Sequence, residues 1–250
     1  MTVEKKSKRQ ERREKIRQQT MRSRLTTIGL ITVGALLLVV AFIWPQFTTI
    51  DNLIVPEMVE LPNRDGLSLG DPNAPAVIDI FEDFQCPACQ YFSESVEPLI
   101  IEYLVKTGKA RLVYHNYPFI DGDGASNGGE SDQSANAAMC ANEQGKFWEM
   151  KSVLYANWNG ENQGNLSNRR LVAMAETIKL DMDAFNSCFD ANKYKDDIQA
   201  SFDYGQELGV SGTPSAFVNG AKVGQPGKVP TFQDIAVAVD AIAGGTTTTP

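Results

Sequence analysis

The chain has 250 residues, 42% of them hydrophobic and 22% charged, enough for a domain with a sizeable core and too apolar for intrinsic disorder. Its formal net charge of −8 conceals a division. Residues 1–24 hold ten Lys/Arg against three Glu, and taking these from 23 Lys/Arg and 31 Asp/Glu leaves 13 and 28, a net −15 for residues 25–250. So acidic a body is repelled by phosphate backbones, which excludes nucleic acid as its main partner.

Residues 1–24 form a basic segment, and Leu25–Trp44 behind it is apolar apart from Thr26, Thr27 and Thr32 and carries no charge. About twenty residues at ~1.5 Å each give ~30 Å, the thickness of a bilayer core. Trp44 suits the far interface, and Pro45 stops the helix. The Lys/Arg excess predicts a single-pass signal-anchor with residues 1–24 in the cytoplasm, touching anionic lipid, and the C-terminal body extracytoplasmic. A cleavable signal peptide is the rival reading. Its basic region would be unusually long, and Ala41-Phe42-Ile43-Trp44-Pro45 lacks a small-x-small cleavage pattern. Outside the cytoplasm disulfides form and persist, and an even count of 4 cysteines agrees with that.

Residues 45–69 show scattered Pro, Asn and Asp without a period and read as a stalk. Gly70-Asp71-Pro72-Asn73-Ala74-Pro75 is turn punctuation before Ala76–Phe81, an apolar, β-branched run that predicts a buried strand. Beyond it Phe92, Val96, Leu99, Ile100 and Leu104 fall at helical spacing, so Cys86 stands where strand turns into helix. Pro87 occupies the first helical turn, where its missing N–H costs nothing. A thiol at a helix N-terminus faces unpaired N–H groups and the positive end of the dipole, which favours thiolate. Cys89 lies one turn deeper on the same face, within reach of a disulfide. The pattern predicts a dithiol switch in which one cysteine attacks and the other resolves.

The same spacing supplies half of many zinc sites. Here no second CxxC follows, and His115 is the only histidine, so redox chemistry is the better reading and no metal or other cofactor is expected beyond the Cys86–Cys89 pair. A purely structural disulfide would close a loop too short to remove much chain entropy. Glu82 and Asp83 are candidates to relay the proton of Cys89, against the plainer reading of a strand end pointing charge into solvent. His115 reads as structural.

After Lys106-Thr107-Gly108-Lys109, Ala110–His115 is a second strand, which makes a βαβ unit with a parallel pair. Asp121–Ser134 reads as a loop; its Asp121-Gly122-Asp123-Gly124 hints at calcium without the spacing of an EF-hand. From Ser134 to Gly209 the period is helical, with Ser167 as a cap before Leu171 and Met174, and Asp181 before Phe185, Cys188 and Phe189. Ser215–Val218, the turn Asn219-Gly220 and Ala221–Val223 form a hairpin. Thr231-Phe232-Gln233-Asp234 is a capping box for a last helix, and residues 244–250 a polar, disordered tail.

Four stretches carry a resemblance: Phe81-Glu82-Asp83-Phe84-Gln85-Cys86-Pro87-Ala88-Cys89, Asn142-Glu143-Gln144-Gly145-Lys146-Phe147-Trp148, Val210-Ser211-Gly212-Thr213-Pro214, and Phe217-Val218-Asn219-Gly220. Over roughly residues 70–243 the chain resembles the DsbA-like thiol–disulfide oxidoreductases, in their membrane-tethered bacterial branch. That implies an α/β thioredoxin-like fold, its first part at 70–133, a helical insertion at 134–209 and its second part at 210–243, preceded by a transmembrane helix at 25–44. It further implies Cys86 as the exposed nucleophile, Cys89 as the buried resolving cysteine, and Thr213-Pro214 as a cis-proline loop beside them for substrate binding. Without the resemblance Pro214 reads as a turn proline opening a strand. Pro87 and Ala88 would tune the redox pair, and Ala88, where the best-known oxidases carry histidine, implies a weaker oxidant. Substrates would be reduced secreted or envelope proteins, the reoxidant a quinone-linked membrane protein, and the chain a monomer. Cys140 and Cys188 lie on apolar faces of two helices and are expected to form a structural disulfide, with two buried free thiols or a second redox relay as the alternatives. Competing functions are a disulfide reductase or isomerase of the same fold, a CxxC module that delivers copper or zinc, and an anchored, non-catalytic peptide-binding domain.

Overall fold

The computed structural model describes residues 8–43, 50, 52–122 and 128–244. α1 (Lys8–Ile43) is one continuous helix that begins inside the basic segment, not at Leu25. Lys, Arg, Gln and Glu are strong helix formers and no Gly or Pro interrupts residues 8–24, so the helix propagates through the charged stretch. Within it Lys15–Ala41 contains an 18-residue window apolar enough to cross a membrane, with a mean hydropathy of 2.0. The expected helix end at Trp44 and Pro45 lies outside the described residues.

From Asn52 onward the chain forms a second unit, organised around β2 (Ala76–Glu82). β2 pairs in parallel with β3 (Ala110–Asn116), Ile80 opposite Tyr114, and antiparallel with β4 (Ser215–Val218), Ile80 opposite Ala216. β1 (Ser68–Leu69) and β5 (Ala221–Val223) complete a five-stranded sheet in the order β1-β3-β2-β4-β5. Side chains alternate between faces along a strand. Ile78, Ile80 and Glu82 therefore share one face of β2, and Asp79 and Phe81 the other. The β4–β5 turn is Asn219-Gly220, with φ of 47° and 78°, the left-handed pair that a two-residue hairpin requires.

The single helix expected over Phe92–Leu104 is broken. α2 (Pro87–Ser95) ends at Val96, α3 (Glu97–Ile100) restarts with Pro98 in its first turn, and a π-helical turn, Ile101–Val105, follows. Pro98 has no N–H to continue the ladder of α2, so the break is local chemistry. The helical insertion opens at Glu130, four residues before the expected start. α4 (Glu130–Asn142) has Glu130 and Asp132 in its first turn, where acidic groups suit the helix dipole. α5 (Phe147–Ala156), α6 (Asn168–Thr177) and α7 (Met182–Asp190) pack around α4. Asp181 caps α7 through Asp183 and Ala184 N–H, whereas Ser167 does not cap α6: its hydroxyl donates to the Gly164 carbonyl at 2.8 Å. Asp123 and Gly124 of the calcium hint lie outside the described residues.

α8 (Lys195–Glu207), placed in the insertion by sequence, packs on α4 through Ile198 and Ala135 and also covers the sheet face of Phe81, which clusters with Tyr117, Phe202, Val210 and Phe217. The approach is close: a Cβ on Gly205 would meet the Tyr117 ring at 2.7 Å. α9 (Phe232–Gly244) opens at the expected box, with Thr231 N–H donating to Asp234 Oδ2 and Asp234 N–H to Thr231 Oγ1. Gly244 closes α9; the rest of the expected tail lies outside the described residues. One continuous core joins the sheet's other face to the insertion, from Ile80 and Phe92 to Phe147 and Leu171.

The stalk expected at 45–69 is corrected for its described part. Asn157 clasps Ile54, accepting from its N–H at 2.9 Å and donating to its carbonyl at 2.7 Å. Leu53, Met58, Leu61 and Leu67 pack on the core, and Trp148 Nε1 donates to the Gly66 carbonyl at 3.1 Å. Scattered apolar residues without a period seat an irregular segment as firmly as a regular one, and two residues of β1 are too short to leave a pattern.

Candidate active site

Cys86 is the N-cap of α2, with extended backbone (φ −78°, ψ 121°), and Pro87 follows in the first turn. The Cys86 carbonyl accepts from Cys89 N–H at 3.0 Å and Gln90 N–H at 3.1 Å, which starts the helix; Cys86 N–H donates to Asp83 O at 3.0 Å. Both thiols are free. Cys86, expected to be exposed, is only 6% accessible, and Cys89 is fully buried. The Cys86 thiol lies 3.3 Å from the Thr213 carbonyl oxygen, and the Thr213–Pro214 peptide is cis. Thr213 Oγ1 is buried with no other hydrogen-bond partner among the described residues, so it is available to the sulfur once the thiol proton has gone.

The two sulfurs differ in acidity. Cys86 is pulled from 9.0 down to about 6, first by the hydrogen bond from the Cys89 thiol, against the opposing cost of burial, then by Thr213 and by the N–H groups of Cys89 and Ala88. The helix terminus therefore contributes, but the partner thiol contributes most. Burial pushes Cys89 well above 9.0, helped by its bond to Cys86 and by the nearby charge of Glu82. Ala88 has no side-chain donor; its part is played by its backbone.

Glu82 and Asp83 do not point into solvent; both are 1% exposed. Their environments separate them. Asp83 Oδ1 accepts from Gln85 N–H at 2.8 Å and Ser131 Oγ at 2.7 Å, and Oδ2 from the N–H groups of Phe119 and Ile120 at 3.0 Å. With both oxygens committed, Asp83 staples the loop before Cys86 to β3's exit and to α4; burial nonetheless raises it to about 6. Glu82 Oε2 accepts from Tyr155 OH at 3.1 Å and faces Lys151 Nζ at 3.2 Å, while its Oε1 is buried with no hydrogen-bond partner among the described residues. Burial raises Glu82 to about 7; Lys151 opposes this and Glu97 adds to it. Of the two acids, Glu82 is the one with a spare oxygen and an electrostatic link to Cys89.

Several site residues went unrecognised in the sequence. Lys151 is buried, donating to Glu97 Oε2 at 2.6 Å and Ser93 Oγ at 3.0 Å beneath the rings of Tyr114, Trp148 and Tyr155. The signal was present: a lysine among Phe147, Met150 and Leu154 on the apolar face of α5 demands a buried counter-charge. Gln85, fully buried, donates to Asp121 Oδ1 at 2.9 Å and Ser131 Oγ at 3.0 Å and accepts from Asn162 N–H at 2.6 Å. His115 lies on the other face of the sheet, 2.8 Å from Asp79 Oδ1 and stacked on Phe81 at 4.5 Å. Cys140 and Cys188 are joined by a disulfide between α4 and α7, Cα to Cα 5.8 Å. Among the described residues no group of three His, Cys, Asp or Glu gathers to hold a metal.

Residues 63–238 match the family model described as Thioredoxin. The chain is 29% identical over 177 residues to the probable disulfide bond formation protein D of Bacillus anthracis, covering 69% of this chain and 76% of that one. It is 31% identical over 157 residues to the Bacillus cereus protein of the same name, covering 61% and 69%. Its fold is similar to that of oxidised BdbD from Bacillus subtilis, with a TM-score of 0.63 at 20% identity over 74% of this chain and 97% of that structure. The chain belongs to the thioredoxin family and, within it, to the DsbA-like thiol–disulfide oxidoreductases.

Proposed function

We propose that the protein is a membrane-anchored, extracytoplasmic oxidoreductase that introduces disulfides into secreted or envelope proteins through Cys86-Pro87-Ala88-Cys89. The observation that carries this reading is the unequal pair: one sulfur held toward thiolate at about 6, its partner buried and held as thiol. A thiolate that is stable when it leaves makes the disulfide form of its pair a stronger oxidant.

In the oxidised enzyme a substrate thiolate attacks Cys86 Sγ. The Cys86–Cys89 bond breaks, its electron pair goes to Cys89, and Cys89 takes a proton, for which Glu82, at about 7 and with Oε1 unpartnered, is the relay. A second substrate thiolate then attacks the substrate sulfur of the mixed disulfide. A substrate disulfide forms, and Cys86 departs as thiolate. Two electrons have passed from substrate to enzyme, and a quinone-linked membrane protein is the class of partner that would remove them. Thr213-Pro214 flanks the sulfur where an extended substrate segment would lie.

The uncharged apolar run Leu25–Ala41 behind the basic residues 1–24 supports a single-pass anchor, N-terminus cytoplasmic, with the folded unit outside. Trapping tests the mechanism. Cys86→Ser abolishes turnover, whereas Cys89→Ser accumulates mixed disulfides with substrate proteins, seen as dithiothreitol-sensitive adducts on gels. A Cys89→Ser chain that captures nothing would sink the reading. The potential of the pair against glutathione decides oxidase over reductase or isomerase.

A further inference from the structure

Beside the reactive sulfur is a pocket of about 240 Å³, bounded by Ala88, Thr213 and Pro214 on one side and by Lys222, Lys228 and the turn between them on the other. Thr213, whose carbonyl touches Cys86, and Ala88, which lies between the two cysteines, both line it, so the pocket adjoins the site of exchange. Its lining includes two lysines and no carboxylate. That is unusual for this chain. Between Glu207 and Asp234, Lys222 and Lys228 are the only charged residues, in a body of net −15.

Both lysines are exposed, and neither makes an ion pair among the described residues. Lys222 Nζ donates to the Gly209 carbonyl at 3.3 Å and sits 5.9 Å from the centre of the Phe217 ring. Lys228 is presented by a turn: its N–H donates to Gln225 O at 3.1 Å, with Pro226 and Gly227 (φ 70°) at the corners. Proline then glycine is the pairing that fixes such a turn. Lys222 alone has a plainer explanation, since lysine on an edge strand discourages unwanted pairing. Lys228 is on no strand, and that explanation does not reach it. Two lysines that line one pocket and have no carboxylate partner among the described residues make that rim attractive to carboxylates.

We propose that this pocket is a subsite for an acidic side chain next to the substrate cysteine, so that the enzyme prefers cysteines in Asp/Glu-bearing segments. The inference rests on the oxidoreductase reading above and adds its substrate class. The test uses the full chain in nanodiscs of zwitterionic lipid and three dithiol peptides that differ only in carrying Asp, Asn or Lys beside the cysteines. At low salt the Asp peptide is expected to be oxidised about fivefold faster than the Lys peptide, a ratio that falls toward one in ~1 M salt, where screening is nearly complete. Lys222→Glu with Lys228→Glu inverts the ratio, and Lys222→Gln with Lys228→Gln brings it to one. Each ratio is taken within one protein, so a partly damaged variant still reports. Equal rates for the three peptides in the unaltered chain would overturn the subsite and leave the redox reading standing. If no peptide is oxidised, the redox reading fails, and fluorescence anisotropy of serine-for-cysteine peptides still decides the subsite by whether the Asp form binds tightest. Self-association of the chain that is lost in the Glu variant, with no peptide preference, would assign the pocket to a second copy and overturn the proposal.

Discussion

The molecule holds two cysteine pairs, and they have little in common but sulfur. Cys140 and Cys188, 48 positions apart, bridge α4 and α7 inside an apolar core. Cys86 and Cys89 stand at a strand-to-helix junction, surrounded by groups that treat the two thiols differently. The contrast teaches that a cysteine pair is shaped by its position: N–H donors, a buried neighbour thiol and a nearby carboxylate split the acidities of Cys86 and Cys89, as the proposed switch requires, whereas Cys140 and Cys188 are joined as a staple.

Removing the staple is the largest expected effect. In the chain-entropy model a loop of 48 residues corresponds to about 4 kcal/mol, so Cys140→Ala with Cys188→Ala should lower unfolding stability by that order in a urea titration. The midpoint for Cys86 alkylation should stay near 6, because neither residue touches that thiol. A variant that shifts the midpoint would break the division of labour between the pairs.

The next change acts within the switch. Cys89→Ala removes the chief stabiliser of the Cys86 thiolate, so the alkylation midpoint should rise from about 6 toward 9.0, by one to two units at least. Cys89→Ser keeps a donor and should move it less. The sign carries to stability. An acidity depressed by the fold stabilises the reduced protein fully above pH ~9 and is lost as pH falls through about 6, so the advantage of the reduced over the oxidised form should shrink on acidification.

The smallest effect belongs to Glu82. Its carboxyl is raised from 4.5 to about 7, so the stability tied to its proton is full below pH 4.5 and lost as pH rises through 7. Glu82→Gln should therefore stabilise the fold on the order of 1 kcal/mol at pH 8 and little at pH 5, read as Tm at the two values. Equal shifts at both would mean that the carboxyl is not held protonated.

What could be read in advance follows the same contrast. The strand-to-helix placement of Cys86 and Cys89 was legible because it is local: Cys86, Pro87 and Cys89 share one turn, and strand and helix periods flank them. Asn219-Gly220 and the box at Thr231–Asp234 were legible for the same reason. The Glu82–Lys151–Glu97 cluster was not, since its members come from β2, α5 and α3 and only folding brings them together. Val96 and Pro98 interrupt a helix whose apolar spacing continues past them, so the period alone overran the break. α8 has the helical period expected of it, but a period cannot say which layer a helix joins; the missing Cβ of Gly205 is what lets it lie on the sheet.

Gln85 has a mechanical consequence. By gripping Asp121, Ser131 and Asn162 at once, its buried carboxamide ties the loop ahead of Cys86 to the insertion, whereas the turn at Gly224–Lys228 is solvent-exposed and has one internal backbone bond. Local opening near Cys86 is thus expected to cost least at the turn that carries Lys228 and most at the loop that Gln85 holds.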